Sequence, residues 1–255
     1  MDIVLQGPMW LTTVQTALYY LELPFVEKII ISTWEDENIN KKDIESYDKI
    51  ELVKSIKPPY KIGNVDYQIL SSFEGIKKTT SDIVAKMRTD QIIHKDDMNM
   101  MNDFVLNGID DTSLIYTDGT KRKGNVFVIG MNKIHPFHPQ DHIFWGYRDD
   151  VYRIFNIPKK PEFITSEAGG FRDPAYIGAM YFSQFYPEVE NYINNFREYM
   201  VDNPPKQDAK ILSEKTRDKV FKVFPKIYMD WIKYGWNYPY EMYIREGEYY
   251  YEDLI

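Results

Sequence analysis

Ile83-Val84-Ala85-Lys86-Met87-Arg88-Thr89-Asp90 is the stretch on which the fold turns. It is a short apolar-rich run that stops abruptly in charge. A run of this length, bounded by polar residues, reads as a strand buried in an α/β sheet, and such a strand delivers its last residues to the crevice where ligands bind. Asp90 then stands at a site mouth, with Asp82, Lys86 and Arg88 near it in sequence. A carboxylate there suits a divalent cation held against phosphate oxygens, because hard cations prefer oxygen ligands. A surface ion pair at a strand end is the plain alternative.

Upstream, Ile3-Val4-Leu5 followed by Gln6-Gly7-Pro8 reads as a first strand opening into a turn. Thr12 or Thr13 caps a helix in which Val14, Ala17, Leu18 and Leu21 form one apolar stripe, and Pro24 closes it. Residues 27–33 read as a second buried strand, with Trp34-Glu35-Asp36-Glu37 in the loop at its end. Strand, helix and strand in this order predict a right-handed parallel crossover. Residues 49–54 are a third strand, and residues 65–78 a helix with Ile69, Leu70, Phe73 and Ile76 inward.

Downstream of the opening stretch, Asp96 or Asp97 caps a helix to about residue 106, whose methionines Met98 and Met101 belong to the core. Residues 113–116 and 125–129 flank the polar loop 118–124 and predict an antiparallel excursion, so the sheet is mixed. His135, His138 and His142 fall close together, but Pro136 and Pro139 break the helix that would bring them to one face. A structural or substrate-contact role is therefore favoured over zinc. Residues 148–155 read as a helix. Gly169-Gly170 forms a turn beside Glu167, ahead of an apolar helix over 175–185. From residue 228 onward the chain is dense in Tyr and Trp, where packing over the core is a commoner use than a sugar platform.

With 255 residues, 44% hydrophobic and 27% charged, the chain reads as a globular protein able to bury a large core. The expectation is a single domain over 1–255, with a nucleotide-binding half in 1–110 and an acceptor half with the aromatic C-terminal segment in 111–255. A net charge of −8 argues against a nucleic-acid binder. Without cysteine there is no disulfide and no thiolate metal site. No basic leader and no apolar segment of about 20 residues is present, so a cytoplasmic place is expected, with a membrane face as an alternative.

Gln6-Gly7-Pro8, Ser32-Thr33-Trp34-Glu35, the block from Gln68 to Gly75 running on to Lys86-Met87-Arg88-Thr89-Asp90, and Asp141-His142-Ile143-Phe144-Trp145-Gly146 together resemble the WavE lipopolysaccharide-synthesis family in order and spacing. The resemblance covers residues 1–185. It implies a glycosyltransferase with a Rossmann-like GT-A-type fold, in which helices flank a mixed, mainly parallel central sheet. Such an enzyme moves a sugar from a nucleotide-sugar donor, such as a UDP-sugar, to a glycan acceptor. On this likeness Gln6, Gly7 and Pro8 line the nucleotide pocket, and Thr33, Trp34 and Glu35 flank the base or ribose. Lys86 and Arg88 face the diphosphate, and Asp90 takes the position that holds Mn²⁺ or Mg²⁺. The sequence departs from the family pattern in carrying Arg-Thr-Asp in place of an Asp-x-Asp pair, with Arg88 supplying part of the positive charge. It also carries Tyr67 where the family often has Arg before Gln.

Inverting transfer needs a carboxylate within hydrogen-bond reach of the acceptor hydroxyl. Asp141 is the first candidate and Glu167 the second, because both are read as preceding helices; a plain N-cap carboxylate is the structural alternative. Two other classes remain open. A glycoside hydrolase would use Asp141 and Glu167 as its paired carboxylates. A non-catalytic carbohydrate-binding protein would use the aromatic C-terminus.

Overall fold

The computed structural model describes residues 1–39, 44, 46–59, 64–108, 114–128, 137, 139, 141–159, 173–194 and 243–245. Among them the early apolar runs form parallel strands β1 (Asp2–Gln6), β2 (Lys28–Trp34), β3 (Ile50–Ser55) and β4 (Ile83–Arg88). β1 lies between β2 and β4, with Gln6 level with Ser32 on one side and with Arg88 on the other. The chain leaves this sheet in β5 (Gln91–Ile93) and rejoins it in β6 (Phe127–Val128) and β7 (Phe144–Tyr147). β7 runs antiparallel to both β4 and β6, giving the order β3-β2-β1-β4-β7-β6. β5 pairs antiparallel with β8 (Tyr243–Arg245), where Ile92 is level with Ile244. The expected fold, a mixed and mainly parallel sheet flanked by helices, is what the chain forms.

The described helices are α1 (Thr13–Leu21), α2 (Val65–Ile76), α3 (Lys95–Gly108), α4 (Arg148–Phe155), α5 (Asp173–Ser183) and α6 (Glu188–Asn194). Strand side chains alternate between the two faces of the sheet, so each face gathers its own core. Ile3, Leu5, Ile29, Ile31, Ala85 and Met87 pack with α1 and α3. Val4, Ile30 and Val84 pack with α2, α4, α5 and α6. Removal of this apolar surface from water on both faces is the main force holding the layers together.

The helices differ from expectation in rotation rather than position. In α1 the buried residues are Thr13, Thr16, Ala17 and Tyr20, while Val14, Leu18 and Leu21 are only partly covered. The Tyr20 hydroxyl reaches the β5 backbone, accepting from Ile93 N at 2.8 Å, so Tyr20 turns inward. In α2 the buried face carries Gln68, Ser71, Ser72 and Gly75 as well as Val65, Ile69 and Ile76. Small residues let this helix press onto the sheet. Ser32 Oγ donates to Ser71 O at 2.6 Å, and a Cβ on Gly75 would stand 2.5 Å from Val4 Cγ1.

Of the two runs expected to pair, 113–116 and 125–129, the described residues 114–116 and 125–128 do not pair with each other. The turn closes early, with Ile115 bridging to Lys121, and Phe127–Val128 instead pairs with β7. Among the described residues no helix is long and apolar enough to cross a membrane. His135, His138, Glu167, Gly169, Gly170 and the C-terminal aromatic segment other than 243–245 lie outside the described residues.

Candidate active site

β1 is where the strand order reverses: the chain builds β2 and β3 on one side of it and returns to place β4 on the other. Loops leaving the carboxyl ends of β1 and β4 diverge at such a point and leave a crevice. The period-two alternation then decides which residues reach it. Gln6, Ser32, Trp34, Lys86 and Arg88 share the α2 face with Val4, Ile30 and Val84. Trp34 meets Tyr67 of α2 with ring centroids 5.1 Å apart and planes tilted by 55°. Thr33 points to the opposite face, where it is fully buried and its Oγ1 has no hydrogen-bond partner among the described residues. Glu35 is exposed beyond the strand, its N donating to Ser55 O at 2.9 Å. Of the three residues expected beside the base, Trp34 alone lines the crevice.

The crevice has a volume of about 350 Å³ and is lined by Gln6, Gly7, Pro8, Trp10, Trp34, Lys57, Asn64, Tyr67, Gln68, Arg88, Thr89, Asp90 and Asp141. Seven of the residues singled out from the sequence therefore come together: Gln6, Gly7, Pro8, Trp34, Arg88, Asp90 and Asp141. Trp10, Lys57 and Asn64 were not anticipated, Gln68 and Thr89 entered only as members of the blocks that carry the family resemblance, and Tyr67 only as a departure from the family pattern. Lys57 was within reach of the same strand-end reasoning, since it follows β3 by two residues.

Gly7 makes the closeness of the two loops possible. It has φ of +139°, and a Cβ there would stand 2.6 Å from Thr89 Oγ1. Thr89 ties the loops together, its Oγ1 donating to Pro8 O at 2.7 Å and its N to Gln6 O at 3.1 Å.

Asp141 reaches the crevice because β7 is antiparallel. The start of β7, with Phe144 level with Lys86, lies at the carboxyl end of β4. Asp141 thus precedes a strand and not a helix, so neither the expected helix nor the N-cap alternative holds for it. Its backbone carbonyl accepts from Lys86 Nζ at 2.7 Å and from Gln68 Nε2 at 3.3 Å. Lys86 is fully buried under the crevice, its Nζ 5.5 Å and 5.7 Å from the ring centroids of Phe144 and Phe155. It does not line the crevice and supports it from below.

Arg88 grips Asp90 with two parallel hydrogen bonds, Nε to Oδ1 at 2.8 Å and Nη2 to Oδ2 at 2.6 Å. Its Nη1 donates to Asp141 Oδ2 at 3.2 Å. Burial pushes the Lys86 ammonium down to about 7, helped by Arg88 and opposed by Asp141 and Asp90. Burial also works against charge on Asp141, but Lys86, Arg88 and His142 outweigh it and hold the carboxyl below its ordinary 3.8. Arg88 is treated alike: burial opposes its charge, and Asp90 with Asp141 more than restores it.

A divalent cation on Asp90 does not suit this donor set. Both Asp90 oxygens accept from one guanidinium, which already sets a fixed positive charge against that carboxylate. His142 is buried with its Nδ1 2.6 Å from Gln91 Nε2.

Among solved structures, residues 1–349 of TarS from S. aureus are similar at a TM-score of 0.45 and 11% identity, over 87% of this chain and 71% of that chain. The apo form of the glycosyltransferase GlyE from Streptococcus pneumoniae is similar at 0.42 and 11%, over 89% of this chain and 63%, less than two thirds, of that one. The 4-diphosphocytidyl-2C-methyl-D-erythritol synthase of Anaerococcus prevotii gives 0.38 and 16%, over 90% and 94%. All three are distant likenesses of layout. No curated protein sequence matches the chain. The sequence profile described as WavE lipopolysaccharide synthesis, in contrast, matches residues 3–181. That span runs from β1 through β7 into α5 and takes in every residue lining the crevice, so the chain belongs to the WavE lipopolysaccharide synthesis family.

Proposed function

We propose that the chain is a glycosyltransferase that moves a sugar from a nucleotide-sugar donor to a hydroxyl of a surface-glycan acceptor. One observation carries this reading: the ends of β1, β2 and β4 open at a strand-order reversal into one crevice that also receives Asp141. Tyr67, backed by the buried ring of Trp34, offers an aromatic face to a base, and the Gln6-Gly7-Pro8 turn offers close backbone approach to a ribose or phosphate. Arg88 faces the diphosphate that departs. In an inverting course the acceptor oxygen bonds to the anomeric carbon while the bond from that carbon to the phosphate oxygen breaks. The electron pair leaves with the diphosphate, and the acceptor proton passes to Asp141. A carboxylate held below its ordinary range is ionised at neutral pH and open to a proton. Glu167 remains the second candidate for that role.

The test is turnover. The chain is incubated with UDP-, GDP-, ADP-, CDP- and dTDP-sugars and with glycan acceptors, and nucleotide release and sugar transfer are followed by mass spectrometry. Acceptor-stimulated release from one donor class is the expected result. Cleavage of a glycan without any nucleotide sugar would replace this reading with a hydrolase. Glycan binding without turnover of any donor would replace it with a carbohydrate-binding protein.

A further inference from the structure

The sequence Arg88-Thr89-Asp90 sets an arginine two residues ahead of the carboxylate that the family resemblance gives to a metal. In space that arginine is not a neighbour of the cation position; it fills it. Asp90 offers its two oxygens to Nε and Nη2, and Asp141 offers Oδ2 to Nη1. A metal on Asp90 would have to displace a charge-assisted, two-point hydrogen bond of the strong kind. Arginine cannot give up its proton to make room. Three of the five guanidinium N–H groups are engaged in these contacts, which leaves two for a ligand in the crevice that Arg88 lines. The contact to Asp141 is the longest of the three, at 3.2 Å, and is the one a phosphate oxygen can most easily replace. Lys57 adds a second cation at the rim, where its bond to Asp36 is solvent-exposed and readily exchanged.

We propose that Arg88 is the resident cation of this site and that a nucleoside diphosphate binds here without a divalent metal. The inference rests on the nucleotide-sugar reading. It narrows that reading to a donor site whose leaving group is met by a fixed guanidinium.

Calorimetric titration with UDP, GDP, ADP, CDP and dTDP, each in EDTA and in Mn²⁺, tests both. The expected result is that one nucleotide binds in EDTA and that Mn²⁺ changes its Kd by no more than about threefold. Arg88→Gln, checked by circular dichroism for a native fold, should weaken that metal-free binding at least about tenfold. Binding only in Mn²⁺, or tightening of about tenfold or more by it, overturns the inference and leaves the donor reading standing. Unchanged metal-free affinity in a folded Arg88→Gln variant overturns it as well. Should the variant not fold, the comparison of buffers with the unaltered chain decides alone. No binding in either buffer overturns the inference and the donor reading together.

Discussion

Carboxylates are covered at both ends of the strands, fully at one and partly at the other, and they are satisfied in different ways. At the amino edge, Asp2 accepts from Thr80 N, Ser81 N and Ser81 Oγ at 2.6, 3.1 and 2.7 Å. Nearby at the start of α4, Asp150 accepts from the Tyr116 hydroxyl at 2.6 Å and from Lys123 N and Gly124 N at 3.0 Å each. These donors are neutral and belong to loops that the carboxylate clamps. At the carboxyl edge, Asp90 and Asp141 instead share one guanidinium that is itself open to the crevice. The lesson is that burial of an acid does not mark a site. The kind of donor that answers it does: saturation by backbone and hydroxyl groups fixes a fold, whereas a shared and incompletely used cation leaves capacity for a ligand.

Substitution should separate the two edges most sharply. Asp90→Asn and Asp141→Asn are expected to lower donor turnover per folded molecule by about 10²-fold or more, the scale of losing a preorganised electrostatic group. Asp150→Asn should do the reverse, costing about 1–3 kcal/mol of stability because an amide N–H faces donors, while turnover per folded molecule stays within a few-fold. Calorimetric melting and turnover measured on the same samples check this. An Asp150→Asn variant of normal stability but without activity would erase the distinction.

Lys86 gives the next largest effect. Its folded-state value of about 7 lies below its ordinary 10.5, so between these values the unfolded chain binds more protons than the folded one. Stability should therefore rise with pH across that window, by about 2 kcal/mol between roughly pH 7 and pH 9. Lys86→Met should remove the rise, as followed by urea unfolding. A slope that survives the substitution would mean that another group carries it.

The smallest effect lies in acid. Asp141 is held below 3.8 when folded, so its contribution is complete above that value and is lost as the pH falls through its folded value. Asp150 is pushed above 3.8, chiefly by burial, so its contribution is present below 3.8 and lost as the pH rises through its folded value. On acidification from about pH 6 to about pH 3, Asp141→Asn should lose less stability than the unaltered chain and Asp150→Asn more. Equal acid slopes in the two variants would contradict the opposite signs.

Much of this layout is legible in the residues themselves. Apolar runs that stop at polar or turn residues locate β1, β2 and β4, the strand-end rule finds Asp90 with Arg88 beside it, and the family resemblance supplies Gln6 and Trp34. Alternation also excludes Thr33 once Trp34 is placed inward, since neighbours on a strand face opposite ways. β7 was hidden because Phe144-Trp145-Gly146-Tyr147 is four residues long, carries a glycine and alternates in no polar pattern. Gly146 is close-packed, a Cβ there standing 2.9 Å from Asn125 O, a contact no local reading supplies. Without the direction of β7, Asp141 could be nominated but not placed. Lys86 was misjudged for a similar reason: the rings that roof it come from Phe144 and Phe155, far along the chain.

The seam between β1 and β4 joins residues made at the start of the chain to residues made some eighty positions later, and its upper end is the crevice. Parallel pairing over such a separation is non-local, and non-local pairing is the slow kind. The crevice is therefore assembled by one of the slower events of folding, and a molecule that binds there reports a chain that has completed its centre. Bound across the seam, a ligand would act as a clasp. The amide hydrogens of β1 and β4 would exchange with solvent more slowly in its presence, while those of the edge strand β3 would keep their pace.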